Sequence, residues 1–352
     1  MEQALDADGH VHEEKEMFTQ YLEPEFRTYT EGWQLNGDKN RRFIVKGTEH
    51  PPFPIEISVR KPMTAENRIK VLNKEKIRLA VLYPSAALTA GYMEPPFAAA
   101  IMRAYNNWMS DWCSADPDRL KFAAPVVLFD VNEAIKEAQR AVSELGAVAV
   151  TVRPNPSQGK RLDHPERLPF YAAIEELGVP LVIHESTGDP STAGGERYGG
   201  MDHPDSYLYH HMFSHPFEQM LAMMSLICSG ILERHPRLKV GFFEAGCSWA
   251  PYWISRLDEH YEHPKLGHYM NKAKLLPSEY FERQCVVSCD PGDPTIPIAI
   301  KALGAHKVLF ATDYPHFDSG GGAVQSFLDV PNIDPTEQWK VLHDNAAEFY
   351  GL

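Results

Sequence analysis

The segment DADGHVHEE, residues 6–14, places acids and histidines at close intervals near the start of the chain. Side chains alternate between the two faces of a β-strand, so Asp6, Asp8, His10 and His12 would share one face of an extended segment. Carboxylate and imidazole groups together bind Zn, Fe or Mn, and the carboxylates favour the harder ions. The segment therefore predicts a strand that delivers ligands to a metal ion.

Length and composition define the class of protein. The chain has 352 residues, of which 43% are hydrophobic and 23% charged, so it can bury a sizeable core. We expect a single domain over residues 1–352. The net charge of -14 argues against a nucleic-acid surface, because phosphate binding requires clustered Lys and Arg. A small anionic substrate remains compatible with this charge, since a bound cation can dominate its own surroundings.

The cysteines and the first residues predict the cellular compartment of the protein. The chain contains five cysteines without a CxxC pair, which is typical of free thiols in the cytoplasm. The opening MEQALDADGHVHEE has neither the basic nor the apolar region of a signal peptide. Because no apolar run approaches the roughly 20 residues of a membrane helix, we expect no membrane partner.

Eight short apolar runs recur along the chain and predict eight strands. They are residues 4–12, 78–85, 121–129, 147–154, 179–186, 238–246, 284–290 and 307–315. Segments with helical spacing separate them, among them 132–146, where Asn132 is the expected cap and Gly146 the stop. This alternation predicts a (β/α)8 TIM barrel. An open doubly wound sheet is the weaker alternative, because no Gly-rich phosphate loop follows any strand.

Two stretches interrupt the alternation. Residues 33–62 are rich in Pro and Gly, and predict an inserted hairpin after strand one. Residues 187–216 predict a long loop after strand five. Loops of that length in a compact domain are usually lids or binding segments. Histidines are frequent in the second stretch, and we expect His215 near its end to contact substrate.

Chemistry in such barrels is carried by the C-terminal ends of the strands. The runs ending at strands five, six and eight carry His184, Glu244 and Asp313. These side chains would meet those of strand one at the same rim. Arg153 at the end of strand four could donate two hydrogen bonds to a substrate carboxylate, and His316 could contact the substrate.

Several motifs in order resemble one known family. They are DADGHVHE, VIHES, GILERHPRLKVGFFEAGCSWAPYWISRLDEHY, LFATDYPH and DNAAEFYG. The chain resembles the amidohydrolase superfamily, in the amidohydrolase-related branch that includes metal-dependent decarboxylases and hydratases. The resemblance implies metal ligands at His184 on strand five and Asp313 on strand eight.

The resemblance leaves two registers open on strand one. His10 and His12 form a literal H-x-H pair, whereas counting from the leading Asp makes Asp8 and His10 the ligands. We favour Asp8 and His10, with His12 behind them and Glu13 as a further candidate ligand. Many relatives have a His at the position of Glu244. A Glu there adds an anionic ligand that could bridge two ions, as in the dinuclear non-haem hydroxylases that the chain resembles.

These residues lead to three functional hypotheses. The first is a dinuclear Fe or Mn monooxygenase that hydroxylates a small organic substrate bearing a carboxylate, with Asp313, Glu244 and His184 as its catalytic residues. The alternative is a decarboxylase or hydrolase with a single Zn or Mn ion. A third hypothesis is a non-catalytic partner subunit. Homo- or hetero-oligomers are compatible with all three.

Overall fold

Eight parallel strands form the central sheet of the protein, for which a computed structural model describes residues 3–14, 16–30, 34–36, 40–45, 48–50, 63–185, 206–316, 319 and 321–352. The eight are β1 (Ala4–His10), β5 (Ile77–Tyr83), β6 (Leu120–Pro125), β7 (Ala149–Val152), β8 (Leu181–His184), β9 (Val240–Phe243), β10 (Cys285–Cys289) and β11 (Val308–Phe310). Each strand pairs with the next one along the chain, apart from three short strands that lie between β1 and β5. The predicted strands and the (β/α)8 TIM barrel are confirmed.

Helices alternate with the barrel strands. The α-helices are α1 (Ala65–Glu75), α2 (Pro95–Cys113), α3 (Val131–Ser143), α4 (Leu168–Leu177), α5 (Ser206–Cys228), α6 (Ile231–Arg234), α7 (Trp249–Glu262), α8 (Pro277–Gln284), α9 (Ile296–Leu303), α10 (Ala323–Leu328), α11 (Pro335–Trp339) and α12 (Asn345–Tyr350). Short 3-10 helices cover Pro24–Thr30, Ala86–Tyr92, Pro165–Arg167, Gly267–Met270 and Ala305–Lys307, and π-helical turns cover Met17–Tyr21 and Lys340–Asp344. Within the described residues, no helix is long and apolar enough to cross a membrane.

The strands are apolar on both faces because each face is covered. The outward side chains pack under the helices in one large hydrophobic layer. The inward side chains form a second, smaller core with the last helix, whose Phe349 and Tyr350 join Leu5, Ala7 and Val81 there. The barrel is therefore a filled core, and its functional groups must lie above that filling at the rim.

A β-bulge in β1 decides which of its side chains enter the barrel. Asp6 pairs with Ala80 and Gly9 with Leu82, so β1 contains one more residue than β5 between these two pairs. Ala7 lies in the interior core, and Asp8 reaches His184 across the barrel. The expectation that Asp6 shares the face of Asp8 and His10 is therefore wrong, because the extra residue turns Asp6 outward.

Asp6 instead anchors the junction between the first and the eighth strand. Its carboxylate is buried and accepts hydrogen bonds from Thr312 N at 2.9 Å, Thr312 Oγ1 at 2.7 Å and Arg68 Nη2 at 3.0 Å. Arg68 Nη1 donates to the Tyr314 carbonyl oxygen at 2.8 Å. The carboxylate of this buried ion pair is fully hydrogen-bonded, whereas Arg68 Nε makes no hydrogen bond to the described residues.

Two backbone hydrogen bonds close the barrel at the same junction. Asp313 N donates to the Asp8 carbonyl oxygen at 2.9 Å, and His10 N donates to the Tyr314 carbonyl oxygen at 2.8 Å. The chain after β11 is thereby held against β1 at the level of Asp8 and His10. Candidate ligands from the two ends of the sequence become neighbours for this reason.

Local predictions at α3 need correction. The cap is Asp130, whose carboxylate accepts hydrogen bonds from Asn132 N at 2.9 Å and Glu133 N at 3.2 Å, and not Asn132 as expected. An acceptor is needed before the first turn, where the amide groups have no partner in the helix. The helix ends at Ser143, before the expected stop at Gly146.

Both interruptions of the barrel pattern are partly described. The insertion at 33–62 contains β2 (Gln34–Asn36), β3 (Asn40–Val45) and β4 (Thr48–His50), which pair as an antiparallel sheet. The inserted hairpin after strand one is confirmed, with a third strand. In the stretch at 187–216, residues 187–205 lie outside the described residues. From Ser206 onward the expected loop is wrong, because α5 already begins there.

Gly9 should be intolerant of any side chain, because of the ion pair beside it. A Cβ at Gly9 would lie 2.6 Å from Asp6 Oδ2 and would collide with the Arg68 guanidinium. We expect Gly9→Ala to lower the free energy of unfolding by about 2–4 kcal/mol, measured by urea denaturation. In the control Gly292→Ala, the new Cβ meets nothing within 4 Å, and stability should change little. Equal stabilities of the two variants would contradict this account of the junction.

Candidate metal centre

Two imidazoles are fixed at the barrel mouth by hydrogen bonds from their Nδ1 atoms. His10 Nδ1 donates to the Pro84 carbonyl oxygen at 3.0 Å, and His184 Nδ1 donates to the Glu185 carbonyl oxygen at 2.7 Å. Both side chains are fully buried. Since a carbonyl oxygen only accepts, the proton of each neutral ring sits on Nδ1. The Nε2 lone pair then faces the barrel axis, as in histidines that bind metals.

Carboxylates surround these two nitrogen atoms. His184 Nε2 lies 3.2 Å from Asp8 Oδ1 and 3.6 Å from Glu244 Oε2. His10 Nε2 lies 3.6 Å from Asp8 Oδ1, 3.7 Å from Glu244 Oε2 and 3.3 Å from Asp313 Oδ1. Asp8, His10, His184 and Glu244 form a first ligand group, whose donor atoms all lie within 4.8 Å of one another.

A second ligand group adjoins the first. It consists of His10, Glu244, Asp313 and His316, again with donor atoms within 4.8 Å of one another. His316 Nδ1 lies 2.6 Å from Asp313 Oδ1 and 3.9 Å from Glu244 Oε1. Its Nε2 is hydrogen-bonded to Ser85 Oγ at 2.9 Å. His316 therefore faces the carboxylates with Nδ1, whereas His10 and His184 face them with Nε2.

The donor set fits a divalent metal ion. His10 Nε2 is buried and makes no hydrogen bond, although it is surrounded by three carboxylates. A buried polar atom without a hydrogen bond requires an explanation, and a role as a metal ligand provides one. Imidazole nitrogen and carboxylate oxygen suit Mn, Fe or Zn. No thiolate belongs to either ligand group among the described residues.

Unusual backbone conformations direct two of the carboxylates. Glu244 has φ of 67° and Asp313 has φ of 52°, both in the left-handed region. Residues other than glycine rarely adopt this conformation, which costs about 1 kcal/mol or more and is concentrated at functional sites. The turn immediately after each strand brings the carboxylate over the barrel mouth. The strained backbone at Glu244 and Asp313 therefore lowers the stability of the fold, and in return both carboxylates are directed to the site.

Burial and mutual contacts shift the pKa values of the first group. Burial raises the pKa of Asp8 to about 6, and burial lowers the pKa of His10 to about 3. Although burial opposes its charge, the Asp8 carboxylate raises the pKa of His184 to about 9. Burial likewise opposes ionisation of Glu244, but contacts with His10 and His184 hold the pKa of Glu244 well below its usual range. Such opposed shifts among adjacent groups are typical of functional sites.

A cleft of about 690 Å³ reaches the ligand groups through Glu244 and Asp313, which line it. His211 and His215 of α5 also line this cleft. The rings of these two histidines lie 4.6 Å apart. The contact of His215 with a substrate stays a prediction. His203 lies outside the described residues.

His12 and Glu13 lie next to the centre but outside both ligand groups. The Glu13 carboxylate accepts hydrogen bonds from the backbone N–H groups of Ser85, Ala86 and Ala87, at 3.0, 2.8 and 2.8 Å. His12 is buried, and its ring centroid lies 6.1 Å from that of His316. The geometry favours Asp8 and His10 as the strand-one pair. Ligand roles for His12 and Glu13 stay predictions.

Arg153 lies apart from the cleft. It lines a separate cavity with Asn155 and Arg167, and its Nη2 lies 3.5 Å from Glu185 Oε1. The structure does not bring it together with the other candidate residues. Its role as a carboxylate-binding group stays a prediction.

Sequence reasoning missed the residues that support the imidazoles. The Tyr83 ring stacks on His184 with centroids 5.1 Å apart, and its hydroxyl is hydrogen-bonded to Tyr350 Oη at 2.7 Å. Ser85 is hydrogen-bonded to His316. Both residues lie at the C-terminal end of β5, the one signal that could have identified them.

A model of the amidohydrolase family matches residues 75–352. The chain belongs to the amidohydrolase family. The 2-amino-3-carboxymuconate-6-semialdehyde decarboxylase of Dictyostelium discoideum is 27% identical over 290 residues, which cover 81% of this chain and 76% of that protein. The gamma-resorcylate decarboxylase of Rhizobium sp. (strain MTP-10005) is 26% identical over 295 residues, which cover 82% and 87% of the two chains.

Solved structures share the fold. An amidohydrolase from Mycobacterium avium subsp. paratuberculosis superposes with a TM-score of 0.81 at 21% identity, covering 99% of this chain and 98% of that one. A dihydroxybenzoic acid decarboxylase from Polaromonas sp. JS666, with bound manganese and the inhibitor 2-nitroresorcinol, superposes with a TM-score of 0.74 at 19% identity, covering 100% and 98%. These likenesses confirm the barrel.

The family membership confirms the resemblance inferred from the motifs and makes this chain a metal-dependent amidohydrolase-superfamily enzyme. The two relatives found by sequence, from Dictyostelium and Rhizobium, are decarboxylases. They support the alternative of a decarboxylase better than the leading hypothesis of a monooxygenase. Manganese is the metal in the Polaromonas structure, whereas neither Fe nor Zn receives support.

Adding Mn²⁺ to the chelated protein should stabilise the fold through these ligands. At a free concentration of 100 times Kd, the free energy of unfolding should rise by about 2.7 kcal/mol, measured by urea denaturation with and without Mn²⁺. His10→Ala should abolish this gain, because His10 belongs to both ligand groups. His260→Ala, at an exposed position on α7, is the control and should keep the gain. A full gain in His10→Ala would place the ion elsewhere.

Proposed function

We propose that the protein is a metal-dependent, non-oxidative decarboxylase of a small aromatic acid with a hydroxyl group next to the carboxylate. The observation that carries this proposal is the first ligand group, whose Glu244 lines a cleft. The relatives add support, since a further solved structure of this fold is a 2,6-dihydroxybenzoate decarboxylase in complex with 2,6-dihydroxybenzoate.

Asp8, His10, His184 and Glu244 would hold the ion, and Mn²⁺ is the metal we favour. When bound, a divalent cation would neutralise substrate oxygen atoms and so fix the acid in one orientation. The buried, hydrogen-bonded imidazoles keep the ligand geometry rigid. Their Nε2 atoms and the carboxylates then define one end of the binding site, and the cleft receives the ring.

Decarboxylation breaks the bond between the ring carbon and the carboxylate carbon. The electron pair stays on the ring carbon as CO2 leaves, and a proton must reach that carbon to form the new C–H bond. Asp313 lines the cleft, and its Oδ1 lies 2.6 Å from His316 Nδ1. Asp313 would deliver the proton, and His316 would then pass a replacement proton to the carboxylate.

The walls of the cleft suit a flat ring. Met212 and Pro216 of α5 provide apolar contact on one side, and Pro291 and Ala323 provide it elsewhere. His215 lies among them and could donate to a ring hydroxyl group. Apolar and polar side chains are mixed in this lining, which also includes Asp290 and Asp293.

The direct test is release of CO2 from hydroxybenzoates under nitrogen. We expect the Mn²⁺-loaded enzyme to convert at least one acid from a panel that includes 2,6-dihydroxybenzoate, with liquid chromatography detecting the decarboxylated phenol. Benzoate, which lacks the hydroxyl group, should not react. Asp313→Asn should lower kcat by about 100-fold or more while Mn²⁺ still binds, because general acid catalysis contributes about 10²–10⁴-fold.

Asp329→Asn serves as the matched control, since Asp329 ends α10 at the surface and contacts Gln325. Its kcat should equal that of the unmodified enzyme. A product that forms only in the presence of O2 would contradict the proposal, and so would a panel without any decarboxylated product.

A second candidate, the dinuclear monooxygenase, is favoured by one specific observation. The second ligand group lies beside the first and shares His10 and Glu244 with it, so Glu244 could bridge two ions. Elemental analysis of anaerobically purified protein distinguishes the candidates. The decarboxylase predicts one ion per chain, with the count unchanged in His316→Ala. Two Fe or Mn ions, falling to one in His316→Ala, would favour the monooxygenase.

A further inference from the structure

A short segment after β5 contacts two imidazoles of the centre. The Pro84 carbonyl oxygen accepts the hydrogen bond from His10 Nδ1 at 3.0 Å. Ser85 Oγ is hydrogen-bonded to His316 Nε2 at 2.9 Å. The 3-10 helix Ala86–Tyr92 begins immediately afterwards. The position of this segment therefore fixes the tautomer of His10 and the direction of His316.

Glu13 holds that segment in place. Its Oε1 accepts hydrogen bonds from Ser85 N at 3.0 Å and Ala87 N at 2.8 Å, and its Oε2 accepts one from Ala86 N at 2.8 Å. The side chain is fully buried. Consecutive N–H groups at the start of a helix form a site for an anion, and a carboxylate that uses both oxygen atoms fills it.

We propose that Glu13 is a positioning residue of the metal centre, acting through Pro84 and Ser85 on His10 and His316. The inference rests on the metal-dependent function proposed above, and it assigns a role to an acid that belongs to neither ligand group. The carboxylate ties the end of β1 to the end of β5, and both imidazoles depend on this link. Residues that orient metal ligands typically change metal affinity about 10–100-fold when they are replaced.

Two other roles for Glu13 make different predictions. A direct ligand would hold an ion itself, so its loss would remove an ion from the protein. A mere helix cap would affect stability and leave the metal geometry unchanged. The hydrogen bonds argue against the first role, since both oxygen atoms already accept from backbone N–H groups. The contacts of Pro84 with His10 and of Ser85 with His316 argue against the role of a mere helix cap.

Glu13→Gln tests the inference, because the substituted amide turns an NH2 group towards backbone N–H donors. We expect Kd for Mn²⁺ to rise about 10–100-fold, measured by isothermal titration of the chelated full-length protein. The number of ions at saturation should not change. The visible absorption spectrum of the Co²⁺-loaded variant should shift, because this spectrum reports the arrangement of the ligands.

Glu175→Gln is the matched control, since Glu175 Oε1 also accepts a backbone hydrogen bond, from Arg237 N at 2.9 Å, on α4 away from the cleft. Its Kd and Co²⁺ spectrum should match those of the unmodified protein. An unchanged Kd and spectrum in Glu13→Gln would overturn the inference, even if its melting temperature fell. Loss of a whole ion would also overturn it, by making Glu13 a ligand.

Ser85→Ala provides a second test that does not disturb the buried carboxylate. It removes the contact with His316 but keeps the Pro84 contact with His10, and His316 does not belong to the first ligand group. We therefore expect its Kd for Mn²⁺ and its Co²⁺ spectrum to match those of the unmodified protein, and the effect of Glu13→Gln to be the same on this background. If Glu13→Gln does not fold, Glu13→Asp, whose carboxylate is one methylene group shorter, replaces it, and an unchanged Kd in that variant refutes the inference. Every titration is performed without substrate, so a failure of the decarboxylase assay leaves these results intact.

Discussion

Repulsion among the carboxylates of Asp8, Glu244 and Asp313 is the constraint on which the rest of the site depends. Oxygen atoms of Asp8 and Glu244 lie within 4.8 Å of each other, and so do those of Glu244 and Asp313. At 4.8 Å two like charges repel by about 3.5 kcal/mol at an effective dielectric constant of 20. The imidazole of His10 does not offset this repulsion, because burial lowers its pKa to about 3, and the single positive charge of His184, whose pKa the Asp8 carboxylate raises to about 9, balances only one of the three carboxylates. A divalent cation offsets it and uses the same atoms as ligands.

The barrel keeps these acids close together because hydrogen bonds and a buried ion pair hold the first strand against the eighth. The outward turn of Asp6 at the bulge gives Arg68 and Thr312 a buried partner, while Asp8 points inward. Gly9 leaves the space that this ion pair occupies. An ordinary alternating strand would place Asp6 inside the barrel and add another acid to the centre. The bulge thus separates a structural carboxylate from a functional one just two residues away.

The sequence predicts the barrel well, because short apolar runs alone indicate buried parallel strands. It also predicts the inward acids and histidines, since strand ends carry the chemistry in this fold. It does not predict the bulge, because the position of an extra residue depends on the pairing with β5. Nor does it predict the direction of Glu13, whose partners are backbone N–H groups 72–74 residues away. The cap at Asp130 was within reach, but Asn132 is an equally good capping residue type.

The number of ions determines what Asp313 can do. If one ion occupies the first ligand group, Asp313 keeps its 2.6 Å contact with His316 and stays available for proton transfer at the cleft. A second ion would be held by Asp313 and His316, and these two residues could then no longer transfer a proton to the substrate. Glu244 belongs to both groups, so the number of ions that its carboxylate binds decides whether the second group is occupied. Because Ser85 fixes the far side of the His316 ring, the inward nitrogen faces Asp313 in either case. The same side chains therefore serve acid–base chemistry or a second ion, but not both at once.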